Sequence, residues 1–121
     1  MDIEKKILVI DDNEQVRKVF SKIAEKIGYG ILTGKNGIEG VELFMNNRYI
    51  KSVFSDNDMP MMNGLEATAE IRKIANENNK YPIITLISGD EVEKPSYVDY
   101  FIRKPFDINQ VKEIIYEAYK E

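Results

Sequence analysis

Short apolar runs rich in β-branched residues alternate along the chain with longer segments whose apolar residues recur at helical spacing. The first run, Ile-Leu-Val-Ile at 7–10, is typical of a strand that is covered on both faces. Similar runs follow at 31–33, 53–55, 83–87 and 101–102. Strands that alternate with helices form parallel sheets, because each right-handed crossover returns the chain to the same edge. The pattern therefore predicts an α/β fold with a five-stranded parallel sheet and helices on both faces.

Four segments have the spacing of amphipathic helices. The first contains Val16, Phe20, Ile23 and Ile27, and Gly28 follows where a helix would end. Two more helices are expected over about 38–45, with Met45 on the apolar side, and over 65–78. A last helix is expected after Asp107, a plausible N-cap. Its inward residues would be Ile108, Val111, Ile114, Ile115 and Ala118.

The connection between the fourth and fifth strands departs from this pattern. Only eleven residues, 89–99, separate the two apolar runs, and Pro95 lies among them. A crossover that contains a helix needs at least ~10–12 residues. Proline also removes a helical donor and clashes with the preceding turn. The sequence therefore predicts that the fourth helix is shortened or absent.

Length and composition limit the possible functions. A chain of 121 residues is expected to form a single domain over 1–121. A net charge of -4 does not favour nucleic-acid binding, and no apolar run reaches the ~20 residues that span a bilayer. The chain contains no cysteine and no histidine, so thiolate sites, zinc-histidine sites and histidine bases are excluded. These properties favour a cytoplasmic protein whose chemistry depends on carboxylates, hydroxyls, lysine or a bound metal.

Polar side chains follow four of the predicted strands. Asp11 and Asp12 follow the first strand, Asp56 follows the third, Ser88 ends the fourth and Lys104 follows the fifth. Ligands bind at the carboxyl ends of such strands. Three carboxylates placed there would repel one another, and a hard divalent cation such as Mg²⁺ relieves that repulsion. A lysine and a hydroxyl beside the metal would bind an anion. Together these groups indicate phosphoryl transfer.

Four sequence stretches resemble those of bacterial two-component response-regulator receiver domains. They are Ile-Leu-Val-Ile-Asp-Asp-Asn at 7–13, Asn-Gly-Ile-Glu-Gly at 36–40, Asp-Asn-Asp-Met-Pro-Met-Met-Asn-Gly at 56–64, and Lys-Pro-Phe at 104–106. The resemblance covers essentially the whole chain, in the order of that family. It implies a stand-alone receiver similar to chemotaxis regulators, with the flavodoxin-like, doubly wound fold. The protein would be a signalling switch that catalyses only its own phosphorylation and dephosphorylation.

The resemblance also implies roles for the acidic residues. Asp56 would be the nucleophile that becomes an aspartyl phosphate. Asp12 would bind Mg²⁺ directly, and Asp11 would bind it mainly through water. Asp56 would contribute a carboxylate oxygen to the metal, and Asp58 its backbone carbonyl. Asp58 is itself a departure, because many relatives have a neutral residue at this position.

Three further residues would respond to the phosphoryl group. The resemblance implies that Ser88 moves to donate a hydrogen bond to it and that Lys104 pairs with it. Phe101 falls on the aromatic switch position of the family but lacks a phenol hydroxyl, so it could act only through packing. The bond between Lys104 and Pro105 is expected to be cis, a geometry accessible mainly to X-Pro bonds.

The phosphoryl donor would be a sensor histidine kinase or a histidine phosphotransfer protein. The downstream target is open, as is the choice between a phosphorelay intermediate and a diffusible regulator. One alternative is a receiver fold that acts as an interaction module without phosphorylation. Another is a haloacid-dehalogenase-like phosphatase, whose Asp-x-Asp spacing is matched at 56–58. In that family the motif follows the first strand and the paired acids come late, which is the reverse of the order here.

Overall fold

Five parallel strands form one sheet in the computed structural model, which describes residues 5–120. The strands are β1 (Lys6–Ile10), β2 (Gly30–Gly34), β3 (Ile50–Asp56), β4 (Ile83–Ser88) and β5 (Tyr100–Arg103). The helices are α1 (Glu14–Ile27), α2 (Gly37–Asn46), α3 (Gly64–Glu77) and α4 (Ile108–Ala118). The strand order is β2-β1-β3-β4-β5, and every pair is parallel. The predicted fold class is confirmed.

Alternate residues of β1 enter two separate hydrophobic clusters. Ile7 and Val9 belong to the cluster that also contains apolar residues of α1 and α4. Leu8 and Ile10 belong to the cluster that contains residues of α2 and α3. Successive side chains of a strand point to opposite faces, so a wholly apolar strand requires a helical layer on each side. The sheet is therefore a central layer with two helices on either face.

Polar caps define where α1 begins and ends. The side chain of Asn13 accepts hydrogen bonds from the backbone N–H groups of Gln15 and Val16. At the other end, Gly28 adopts the left-handed conformation with φ of 77° and donates to the last carbonyls of the helix. Glycine adopts this conformation at little cost, which makes it a frequent helix stop. The first helix therefore ends at the residue that the sequence pattern predicted.

The segment 89–99 contains no helix, as the sequence predicted. Its second half is held by Arg72 of α3, which donates to the Tyr97 carbonyl at 3.0 Å and to Asp99 Oδ2 at 2.8 Å. The Asp99 carboxylate also accepts from the backbone of Ile84 at 2.7 Å. Val98 lies buried next to these contacts. A loop with apolar anchors, of which Val98 is the most buried, and one arginine clamp therefore takes the place of the fourth helix.

Two residues that were expected to face inward are exposed, so these assignments were wrong. Met45 is 61% exposed and Ile108 is 46% exposed. Successive helical residues are rotated by about 100°, so Met45 points away from the buried neighbour Phe44. Ile108 is the first residue of α4, whose buried residues begin at Val111. Across residues 5–120, none of the helices combines the length and apolar character needed to cross a membrane.

Candidate functional site

Asp11 lies at the carboxyl end of β1 and is 2% exposed. Its backbone N–H donates to the Gly34 carbonyl at 3.0 Å, and its own carbonyl accepts from Arg17 at 2.8 Å. Its carboxylate accepts from the Asn13 backbone at 2.9 Å. These bonds hold the turn into α1, while the next residue, Asp12, is exposed. The first strand therefore presents one buried and one exposed carboxylate at the same edge.

Asp56 ends β3, and its side chain is 2% exposed. Lys104 follows β5, and its Nζ lies 2.6 Å from Asp56 Oδ1. The backbone N–H of Lys104 donates to the Ser88 carbonyl at 2.9 Å, which joins the end of β5 to the end of β4. Since β3, β4 and β5 are neighbours, the sheet brings Asp56, Ser88 and Lys104 to one place.

Three carboxylates form a compact cluster beside this ion pair. Oxygens of Asp11, Asp12 and Asp56 all lie within 4.8 Å of one another. An all-oxygen set of this kind suits a hard divalent cation such as Mg²⁺, which binds through carboxylates and keeps several waters. The exposure of Asp12 leaves one side of the cluster open to solvent. The donor atoms present therefore fit the predicted metal.

Burial and mutual repulsion change the acidity of the cluster. Burial, aided by the charges of Asp56 and Asp12, raises the pKa of Asp11 to about 6, although the Asn13 hydrogen bond opposes this. Burial also raises the pKa of Asp56, and the contact with Lys104 partly opposes it. For Lys104, partial burial lowers the pKa, but the hydrogen bond and charge of Asp56 outweigh it and raise the pKa. The cluster therefore favours any cation that can neutralise it.

Ser88 is fully buried at the end of β4. Its hydroxyl accepts from the Asp90 backbone at 3.1 Å and donates to Asp58 Oδ2 at 3.4 Å, a long contact. The extra carboxylate that distinguishes this chain therefore contacts the hydroxyl that was predicted to bind a phosphoryl group. Sequence reasoning placed Asp58 at the rim of the site but did not identify this contact.

Sequence reasoning also missed two residues that shape the loop after Asp56. Asn57 accepts from the Met59, Gly64 and Leu65 backbones at 3.0–3.1 Å, which fixes the loop. A Cβ atom at Gly64 would lie 2.3 Å from the Asp56 carbonyl oxygen, so only glycine fits there. A glycine at the start of a helix was the available signal, but the close approach that requires it is visible only in three dimensions.

Two other predicted features lie near the site. The peptide bond between Lys104 and Pro105 is cis, as predicted. Phe101 lies on β5, is partly buried, and packs against the cluster of α2 and α3 that also contains Val98. Its ring therefore packs on the same face of the sheet as the apolar residue Val98 of the helix-free segment.

Comparisons with known proteins identify the family of this chain. The family model described as "Response regulator receiver domain" matches residues 7–116. Hybrid signal transduction histidine kinase A of Dictyostelium discoideum is 31% identical over 118 residues, which cover 92% of this chain but 6% of that kinase. A chemotaxis protein CheY homolog of Campylobacter jejuni is 28% identical over 120 residues, covering 89% of this chain and 87% of the homolog. The chain thus spans a small fraction of one relative and most of the other.

The fold has a similar counterpart among solved structures. Response regulator protein TrrA of Thermotoga maritima, crystallised in complex with Mg²⁺-BeF, superposes with a TM-score of 0.81 at 29% identity. The match covers 94% of this chain and 98% of that protein. The family match favours the predicted receiver over the phosphatase alternative, whose motif order is reversed. The chain belongs to the response regulator receiver domain family.

Proposed function

We propose that this protein is a phosphoacceptor switch of a two-component or phosphorelay system and that Asp56 accepts the phosphoryl group. The observation that supports this most is the position of the Asp56 carboxylate. One of its oxygens lies within 4.8 Å of oxygens of Asp11 and Asp12, and Lys104 Nζ lies 2.6 Å from Asp56 Oδ1. A buried nucleophile with a cation site and a fixed ammonium beside it provides what phosphoryl transfer needs.

In the proposed reaction, a carboxylate oxygen of Asp56 attacks the phosphorus of a phosphohistidine. The new bond is P–O, the bond that breaks is P–N, and the imidazole leaves with its electron pair. Bound Mg²⁺ would neutralise the charge of the transferred group. Asp12 would hold the metal directly, Asp11 mainly through water, Asp56 through its carboxylate and Asp58 through its backbone carbonyl. Lys104 would pair with a phosphoryl oxygen after its ion pair with Asp56 is replaced.

The switch would begin at Ser88. Its hydroxyl would exchange the long 3.4 Å contact with Asp58 for a hydrogen bond to the phosphoryl group, because a charged acceptor at normal hydrogen-bond distance makes a stronger bond than a contact at the distance limit. Phe101 would respond through packing, since its partly buried ring has no hydroxyl to donate. Self-phosphorylation and self-dephosphorylation would be the only reactions catalysed, so we do not class the protein as an enzyme.

We infer a single receiver domain over residues 1–121 that acts alone, in a bacterial cytoplasm. The match to the Campylobacter jejuni CheY homolog, which covers 87% of that protein, supports this organisation. The Dictyostelium discoideum kinase shows that similar domains also occur within long chains. The phosphoryl donor would be a sensor histidine kinase or a histidine phosphotransfer protein, and a further protein would read the phosphorylated state.

Acetyl phosphate provides a direct test that needs no partner protein. Incubation with acetyl phosphate and Mg²⁺ should add one phosphoryl group, detected by intact-mass spectrometry, and the group should be labile because it is an acyl phosphate. Omission of Mg²⁺ is the control and should suppress the reaction. A protein that remains unmodified with the metal present, or that is modified equally in excess EDTA, would contradict the proposed chemistry.

Lys104→Ala should keep the fold but lose the response to a phosphoryl mimic. The Asp56 carboxylate can take up a proton when its cation is removed, since burial already raises its pKa. The phosphoryl mimic, by contrast, would lose its ammonium partner and retain the metal and the Ser88 hydroxyl. Backbone amide NMR spectra with and without Mg²⁺ and beryllofluoride would measure the response. Lys112→Ala, on α4, is the control and should respond like the wild type. Large shifts beyond the mimic site in Lys104→Ala would contradict this role.

A further inference from the structure

The amino-terminal edge of the sheet, opposite the carboxylate cluster, carries two adjoining concavities. One has a volume of about 350 Å³ and lies between the ends of α2 and α3. The other has a volume of about 400 Å³ and lies below the starts of β3 and β4. Arg48 and Lys80 line both, so the two adjoin along a shared wall and together form a double depression. We call this depression the basal groove and define it by Met45, Arg48, Tyr49, Lys51, Lys80 and Tyr81.

The basal groove is positively charged. Its lining includes Arg48, Lys51 and Lys80. In the part of the chain that the structure describes, no acidic residue lines either concavity. Over residues 5–120, none of these three cations lies within ion-pair distance of a carboxylate. Lys80 instead donates to the Arg48 carbonyl, and Lys51 lies 6.0 Å from the centre of the Tyr119 ring. The described lining of the groove is therefore positive, although the net charge of the chain is -4.

The basal groove also exposes large apolar side chains. Tyr81 is 80% exposed, Met45 is 61% exposed and Tyr49 is 51% exposed. Tyrosine, methionine and arginine are enriched in protein interfaces, and tyrosine supplies a large contact area at a low cost in conformational entropy. Cations beside exposed aromatic rings therefore give this surface the composition of a binding site for a protein.

We propose that the basal groove binds an acidic segment of a partner protein in an extended conformation. The positive lining is complementary to glutamate and aspartate side chains, and the exposed rings would pack on apolar residues between them. Two adjoining concavities suit an extended chain better than a compact ligand. A single-stranded nucleic acid would also meet cations and rings, but it carries a phosphate at every nucleotide. The net charge of -4 opposes such a dense polyanion more than it opposes a peptide with apolar residues between its carboxylates.

The basal groove is separate from the proposed phosphorylation site. Ile50, which lines the groove, and Asp56 lie at opposite ends of β3. Six residue steps along a strand correspond to about 20 Å. Changes in the groove should therefore leave phosphorylation intact, and the two proposals can fail independently. A partner bound at this edge would leave the phosphorylation site accessible to its donor.

A titration with two synthetic peptides tests the proposal. One peptide has roughly ten residues of alternating glutamate and leucine. At ~3.3 Å per residue, it spans about 33 Å when it is extended. The other has glutamine in place of every glutamate. Addition of the acidic peptide to the full chain at low salt should shift backbone amide signals of 45–51 and 78–81. Added salt should weaken the binding, because it screens the charges.

Charge-reversal variants provide the matched comparison. R48E/K51E should lower the affinity for the acidic peptide by at least about tenfold, since it reverses two of the three cations. K22E/K112E makes the same change in net charge on α1 and α4, outside the groove, and should alter affinity by less than about twofold. If R48E/K51E fails to fold, Tyr81→Ser replaces it, because a side chain that is 80% exposed can be shortened without loss of packing.

Several results would overturn the proposal. One is a glutamine peptide that binds as tightly as the acidic peptide, and another is a K22E/K112E variant that loses as much affinity as R48E/K51E. An affinity that is unchanged in R48E/K51E or Tyr81→Ser, or amide shifts that map to the carboxylate cluster, would also contradict it. Tighter binding of single-stranded oligothymidylate in the groove would instead assign it to nucleic acid. Concentration-dependent self-association through these residues would assign it to a second copy. Phosphorylation of R48E/K51E by acetyl phosphate should match the wild type, which separates this test from that of the proposed function.

Discussion

Asp56→Asn is expected to accept no measurable phosphoryl group from acetyl phosphate, with labelling below about 1% of the wild-type level. The amide is nearly the size of the carboxylate but is not a nucleophile of comparable strength. Asp56 is buried beside Lys104 Nζ. Because the amide has a similar size, the substitution removes a reacting oxygen and leaves the shape of the site unchanged. It also removes one negative charge from a cluster whose members repel one another, so the folded state should be retained.

The measurement is intact-mass spectrometry after incubation with acetyl phosphate and Mg²⁺, followed by peptide mapping of the modified residue. Asp107→Asn is the matched control, since it makes the same chemical change at the N-cap of α4, where asparagine caps as well as aspartate. The control should be labelled like the wild type. Labelling of Asp56→Asn at the wild-type level, or a phosphoryl group mapped to another residue, would show that Asp56 is not the acceptor.

Asp12→Ala is expected to weaken Mg²⁺ binding by at least about tenfold. Its carboxylate is the exposed member of a cluster whose oxygens lie within 4.8 Å of one another, so it faces the side from which a metal would enter. The same substitution should leave the metal-free protein as stable as the wild type or more stable. The reason is that the charge of Asp12 raises the pKa of both Asp11 and Asp56, which means that it disfavours their ionised forms in the folded state.

Isothermal titration with MgCl₂ measures the first effect, and thermal unfolding in EDTA measures the second. Glu113→Ala removes an exposed carboxylate from α4, away from the cluster, and should change neither quantity appreciably. Added Mg²⁺ should raise the melting temperature of the wild type and of the control more than that of Asp12→Ala. An unchanged Mg²⁺ affinity in Asp12→Ala would rule out the metal site as we describe it.

The predictions from sequence succeeded where a local pattern determines structure. Alternating apolar runs and helical stripes require a covered parallel sheet, and Gly28 ends a helix through its own conformational freedom. The positions of Asp11, Asp56, Ser88 and Lys104 at successive strand ends followed from the same pattern, because parallel strands bring their carboxyl ends to one edge. The absence of a helix over 89–99 followed from the shortness of this segment, which has eleven residues, and from Pro95 within it.

Predictions failed at helix edges, where one residue of rotation decides between core and solvent. Met45 and Ile108 are apolar and lie close to buried neighbours, yet both are exposed. An apolar residue at the margin of a helical stripe is buried only if another element covers it, and the sequence of the helix alone does not contain that information. Exposed Met45 is also part of the basal groove, so the failed prediction coincides with a candidate binding surface.

By itself, the sequence determined the order of the strands along the chain, the edge at which the acidic residues meet and the family. Only the tertiary structure decided which distant residues touch. It placed Asp58 against Ser88, clamped the segment 89–99 with Arg72, and brought 45–51 beside 78–82 to form the basal groove. Periodicity and capping act over a few residues and can be recognised locally. Contacts between separate segments depend on how the helices pack across the sheet, which no local pattern specifies.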